Sequence, residues 1–284
     1  IFIALAVGVV LGAGPLQSRI QAGVSSSATA SAADPLLAAH ADAEAAGLKA
    51  LASSTLTGSL SSAKVALVVL PGASDDDVTA IRSTLTDAGA SVVGRVTLTD
   101  NWQSTSMSQY RTTLSTTLAS HLASGAAKTA SADGVVGYSI VQVLTTTGAE
   151  TDLLRQILTD ESTPIMTVDE DANGGATAIV AVGPRAQASD VSNATPAALT
   201  QSPDAWVGLG QALGSTNGVL VGDASTRDAM IAHVRASGVT VTTVDSVGTT
   251  LAAVDTALAL STPATGARAF GVGTGAQSVI PPVK

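Results

Sequence analysis

For residues 64–284 the sequence predicts a three-layer α/β fold with a mostly parallel sheet, and two observations carry that reading. Short, uninterrupted apolar runs such as Lys64–Leu70 (KVALVVL) and Ala176–Val182 (ATAIVAV) have the character of strands buried on both faces. They alternate with stretches of helical period, the pattern of parallel strands joined through crossover helices. Composition agrees, since 45% apolar residues in a chain of 284 are ample for a large core. With aromatics at 2%, that core has to be made from small and β-branched side chains.

Ahead of this domain, Ile1–Ser18 carries no charge and Ile1–Gly14 (IFIALAVGVVLGAG) is a continuous apolar run. It reads as a transmembrane anchor truncated at its start, because the chain opens on Ile and 14 residues make only about 20 Å of helix against a bilayer core of about 30 Å. A cleaved signal peptide is the alternative. Its small-residue sites, Ala28-Thr29-Ala30 and Ala30-Ser31-Ala32, lie too far beyond Gly14 for ordinary cleavage geometry. Residues 19–63 form an Ala/Ser/Thr-rich stalk or linker. Val24–Ala33 is the flexible part, and Pro35–Leu51 a weakly helical one with Asp34 as cap and Pro35 in the first turn. No sustained heptad runs through it.

Within the domain, Lys64–Leu70 is the first strand. A helix follows to Asp87, with Val78, Ile81 and Leu85 on one face and Gly89 as its stop, and Ser91–Leu98 is the second strand. The middle of the chain is helix-rich. Gly134–Leu144 fits a buried helix better than a strand, and Glu150–Thr159 is an amphipathic helix running into a strand at Pro164–Val168. The last third alternates again: strands at 176–182, 218–221, 239–244 and 267–272, and helices at 204–213, 226–236 and 249–260.

Charge and residue usage exclude several classes of function. With 22 acids against 13 Lys and Arg, and a net charge of −9, the chain lacks the basic footprint of a nucleic-acid binder. It contains no cysteine, so it has no disulfide and no thiolate nucleophile or metal ligand. A soft copper ion would want clustered Met or His, yet His40, His121, His233, Met107, Met166 and Met230 are scattered. Only Met230 and His233 stand at i,i+3 on one helix, where a core methionine beside a partly exposed histidine is the simpler account.

Asp75–Asp77 could hold a hard cation but read more simply as helix-capping acids, and Asp169–Asp171 as an exposed acidic turn. Gly271-Val272-Gly273-Thr274-Gly275 has glycines like a phosphate loop but lacks the strand-to-helix setting of one. No nucleophile-elbow, zinc-protease or P-loop motif occurs. The expectation is a protein that is not an enzyme, with no catalytic, cofactor-binding or metal residues assigned and no resident cofactor.

Two segments carry a family resemblance: the N-terminal FIALAVGVVLGAG, and LPGASDDDVTAIRSTLTDAGASVVGRVTLT from Leu70 to Thr99. With the βα-rich remainder they resemble the actinobacterial envelope proteins of the copper transporter MctB family, which includes SteB-like cell-separation proteins. The resemblance spans essentially the whole chain. It implies one N-terminal transmembrane helix, a coiled-coil stalk and an extracytoplasmic domain, with a role in copper transport or homeostasis through efflux or tolerance. Its alternative implication is a non-enzymatic scaffold that regulates cell separation through a peptidoglycan hydrolase. The stalk departs from the family pattern, being Ser/Ala/Thr-rich where relatives carry charged heptads.

The implied partners are the membrane, another envelope or membrane protein, copper directly or indirectly, and a second copy of the chain; nucleic acid is excluded. The implied location is the cell envelope, with the outer membrane suggested by the family. One apolar span and no barrel-like strand alternation argue against a pore made by a single copy.

Overall fold

The structure, a computed structural model, describes residues 35–186, 200–262 and 266–282. The expected anchor, 1–18, and the linker as far as Asp34 lie outside the described residues. Among the described residues, no helix is long and apolar enough to cross a membrane. The chain divides into two compact units, Ile1–Glu44 and Ala45–Lys284. The described part of the first is the opening of helix α1 (Pro35–Leu56), exposed from Pro35 to Ala43 and at Glu44, with Pro35 as its first residue.

The second unit is built on strands β1 (Lys64–Val69), β2 (Ser91–Leu98), β3 (Met166–Glu170), β4 (Ala178–Val182), β5 (Asn217–Val221), β6 (Thr242–Val244) and β7 (Arg268–Phe270). They form one seven-stranded sheet in the order β3-β2-β1-β4-β5-β6-β7. Every neighbouring pair is parallel except β2–β3, which is antiparallel and puts β3 on an edge. The α/β class and the mostly parallel sheet are therefore as the sequence indicates.

Besides α1, the helices are α2 (Asp75–Asp87), α3 (Asp100–Gln103), α4 (Ser108–His121), α5 (Gly125–Lys128), α6 (Ala132–Thr145), α7 (Ala149–Leu158), α8 (Pro203–Gly214), α9 (Met230–Ala236) and α10 (Thr250–Ser261). Strand β1 shows why both sheet faces are covered. Val65, Leu67 and Val69 enter one apolar cluster with Val78, Ile81 and Leu85 of α2, while Ala66, Val68 and Leu70 enter another with Leu118 of α4 and Leu154 of α7. Side chains alternate across a strand, so a run such as KVALVV can exist in water only between two layers of helix.

The segment read as a stalk also feeds the core, through Ala52, Leu56 and Leu60. The ambiguous stretch 134–144 is helix α6, and it packs closely on α8. A Cβ on Gly137 would lie 2.7 Å from the Gly208 carbonyl oxygen, so the two backbones approach through glycine. Arg111 of α4 is fully buried and gathers the segment before it. Its Nε donates to Asp133 at 2.5 Å, and its Nη1 to the carbonyls of Ser104 at 2.8 Å and Asn101 at 3.2 Å.

Several boundaries move. The strand expected at Pro164–Val168 is Met166–Glu170 and includes two acids. Each acid of 169–171 pairs with a different arginine: Asp169 with Arg95 of β2, Glu170 with Arg82 of α2, and Asp171 with Arg155 of α7. The supposed acidic turn is the fastening of an edge strand. Helix α9 starts at Met230 rather than 226, because Asp223 first closes a turn by accepting from the Ser225 backbone N–H at 2.8 Å.

Candidate functional site: the strand-end crevice

In an open parallel sheet, ligands normally bind beyond the carboxyl ends of the strands, where the chain turns one way from one strand and the other way from its neighbour. Here that switch lies between β1 and β4, since β1 leads outward to β2 while β4 leads to β5 on the opposite side. The loops after these two strands adjoin: a Cβ on Gly72 would lie 3.4 Å from the Pro184 Cβ.

At the crevice the protein sets two of its own charges against each other. Asp77, 5% exposed, is gripped from two sides by Arg185, Nε to Oδ2 and Nη2 to Oδ1, both at 2.7 Å. That bond and the carboxylate's charge raise the Arg185 pKa above its ordinary value. The extended residue Ser74 is the N-cap, so the three acids form the first turn instead of capping it. Asp75 accepts from Arg95 Nη2 at 3.2 Å.

A second cluster lies along the same edge, beyond β5, β6 and β7. Asp245, the residue after β6, is 1% exposed and accepts four hydrogen bonds. Its Oδ1 takes the Ser246 hydroxyl at 2.7 Å and the Val272 N–H at 2.8 Å; its Oδ2 takes Arg235 Nη1 and the Gly273 N–H, both at 2.9 Å. Burial pushes the Asp245 carboxyl pKa up, but these donors outweigh it and hold the group below its usual value. Arg235 also donates to Thr243 Oγ1 and to the carbonyls of Phe270 and Thr274, each at 2.9 Å. Its burial lowers the guanidinium pKa.

The glycine-rich segment 271–275 is thus an anion-holding loop in its backbone geometry, and the anion it holds is Asp245. Gly271, at φ +122°, is obligatory there, since a Cβ would sit 2.0 Å from Asp245 Oδ1. Gly271→Ala is expected to cost about 2 kcal/mol or more through backbone strain and displacement of the carboxylate. A shift in urea unfolding worth less than about 0.5 kcal/mol would show that the loop is not fastened in this way.

The sulfur and imidazole residues are dispersed. The Met230 methyl lies over bare backbone at the ends of β4 and β5, in the space that Cβ atoms on Gly183 and Gly222 would need. His233 instead meets the Trp206 ring edge-on at 6.2 Å. His121 Nδ1 is 2.5 Å from Glu150 Oε2, Met166 is fully buried in β3, and His40 is exposed on α1. Among the described residues, no three His, Cys, Asp or Glu side chains are grouped as metal ligands. Sequence reasoning missed Asp245 and Arg235. An acid directly after a strand was the available signal, and its partner ten residues upstream on a helix was not.

A sequence model of the family described as copper transport outer membrane protein, MctB, matches residues 1–281. The chain belongs to the MctB family. No curated protein matches it. Membership makes this a copper-transport-related envelope protein, and the MctB match takes in the crevice, the Asp245 cluster and the edge strand alike.

Proposed function

We propose that this MctB-family chain supports copper transport or tolerance as a non-catalytic envelope component, working through a protein partner instead of holding the metal in a site of its own. In this reading the run 1–18 anchors it to a membrane and the domain 64–284 acts outside the cytoplasm. The observation behind the proposal is the state of the crevice. Where an α/β sheet receives a small ligand, the nearest charges, Arg185 and Asp77, are paired with each other, and the neighbouring glycine loop holds Asp245. Family membership supplies the link to copper.

Deleting the gene is expected to make cells copper-sensitive, with tolerance restored by the full chain. Copper titration of the purified chain is expected to show no saturable uptake at about micromolar affinity or tighter. Unchanged copper tolerance would overturn the role. Failed cell separation in that strain would favour the scaffold that regulates a peptidoglycan hydrolase. Saturable copper binding would make the chain a direct carrier.

A further inference from the structure

Large apolar side chains stand exposed together at one corner of the domain. Val272 is 71% exposed, Val279 51% and Ile280 46%. The Gly271 N–H donates to the carbonyls of Ser278 at 3.0 Å and Val279 at 3.1 Å, which sets Val279 and Ile280 beside the loop that carries Val272. No charged residue falls between Ala269 and Val283. Apolar residues scattered singly over a surface need no explanation, but three grouped with no charge among them form a patch of the kind that marks an interaction site.

The patch is held from beneath. Asp245 takes the N–H groups of Val272 and Gly273 at 2.8 and 2.9 Å, the Ala224 carbonyl takes the Thr274 N–H at 2.8 Å, and Arg235 donates to the Thr274 carbonyl at 2.9 Å. On its other side the Gln277 N–H donates to the Ala269 carbonyl at 2.8 Å, and Pro281 is buried. The buried Asp245–Arg235 pair thus fastens a loop that holds a valine out into water. A backbone fixed in advance lowers the ordering cost of association. The surroundings are acidic. The patch follows β7 at the carboxyl edge of the sheet, where Asp76 follows β1, Asp100 follows β2, and Asp223 and Asp228 follow β5. The bases on those same loops are Arg227 and Arg185, and Arg185 is committed to Asp77. The contact between Thr274 and Ala224 brings the 223–228 loop directly against the patch.

We infer that this corner is a docking surface for a partner protein that offers an apolar depression edged by Lys or Arg, with Val272 as the central contact and Val279 and Ile280 beside it. An apolar centre with a charged rim is the ordinary anatomy of a protein interface, and the acidic edge selects the sign of the partner's rim. A second copy of this chain is the disfavoured occupant, because each copy carries a net charge of −9. The inference rests on the reading that the domain works through a partner. Its failure would leave the copper phenotype of the deletion strain untouched, so the two are separable.

The test places a photo-cross-linking side chain in the full chain inside its own cells, as Val272→benzoylphenylalanine and, for comparison, as Leu153→benzoylphenylalanine at an exposed apolar position of α7. Light is expected to give one discrete adduct from position 272 and none from position 153. Adding Ile280→Asp to the chain labelled at 272 is expected to cut the adduct about fivefold or more, the loss that follows removal of one effective interface contact. Adding Asp228→Lys instead is expected to cut it about fivefold, the size of one exposed charge contact. Both positions are exposed, and an unchanged melting temperature of each purified variant checks that the fold survives. No adduct from position 272, an equal adduct from position 153, or a yield indifferent to both substitutions would overturn the inference. So would an adduct with the mass of two copies, which would make the corner a contact between copies.

Discussion

Replacing Asp245 with alanine is expected to remove about 3–5 kcal/mol of folding stability, the range for breaking a buried ion pair by deleting one partner. The side chains of Arg235 and Asp245 are 7% and 1% exposed, so the guanidinium left behind keeps its charge with little water to solvate it. It retains Thr243 Oγ1 and the carbonyls of Phe270 and Thr274, but these are dipoles and not a counter-charge. The N–H groups of Val272 and Gly273 lose their acceptors in the same stroke. Urea unfolding at pH 7 gives the measurement, and a loss below about 1 kcal/mol would mean that the pair is as weak as a surface salt bridge. The sign of the pH dependence follows from the depressed Asp245 pKa. Its contribution is present above the unfolded value near 3.8 and lost as pH falls through the folded one, so the deficit of the alanine variant should shrink in acid.

The sequence makes legible what is decided locally. KVALVV can only be a strand covered on both sides, and Val78, Ile81 and Leu85 of α2 are buried as their spacing requires. Gly89 ends that helix at φ +96°, a conformation that costs glycine nothing. The ambiguous stretch at 134–144 resolves to helix because small residues let α6 lie against α8, which is a property of the pair and not of either segment. Strand β3 was misplaced for a related reason. Asp169 and Glu170 look like turn residues until Arg95 and Arg82, 74 and 88 positions away, are brought beside them by the fold.

The candidate site shows the same division. That a crevice should open beyond β1 and β4 follows from alternating strands and helices, and the Asp75–Asp77 run marked one wall of it. That its charges pair with each other does not follow, since this depends on Arg185 reaching Asp77 across 108 positions of chain. The glycine-rich segment 271–275 resembles a phosphate loop in its glycines alone, yet its backbone does bind an anion. The anion is the side chain of Asp245, the residue after β6, and the parallel pairing of β6 with β7 sets the two side by side.

Asp255→Asn is expected to leave stability nearly unchanged at pH 4 and to raise it by up to about 4 kcal/mol at pH 8. Asp255 lies on α10, fully buried, and neither carboxyl oxygen has a hydrogen-bond partner. Burial, with a smaller repulsion from the Asp245 charge, pushes its pKa up to about 7 from an ordinary value of 3.8. The folded chain therefore keeps a proton that the unfolded chain releases near pH 4. Folding takes up that proton between the two values, so stability falls as pH rises from about 4 to about 7 and is level on either side. Asparagine has no charge to desolvate, and the difference between variant and parent isolates this one residue from every other titrating group. Parallel unfolding curves for the two proteins from pH 4 to pH 8 would refute the assignment. The Asp245 contribution adds a cross-check: removing that neighbouring charge should shift the Asp255 transition toward lower pH, and the two substitutions should then fail to add.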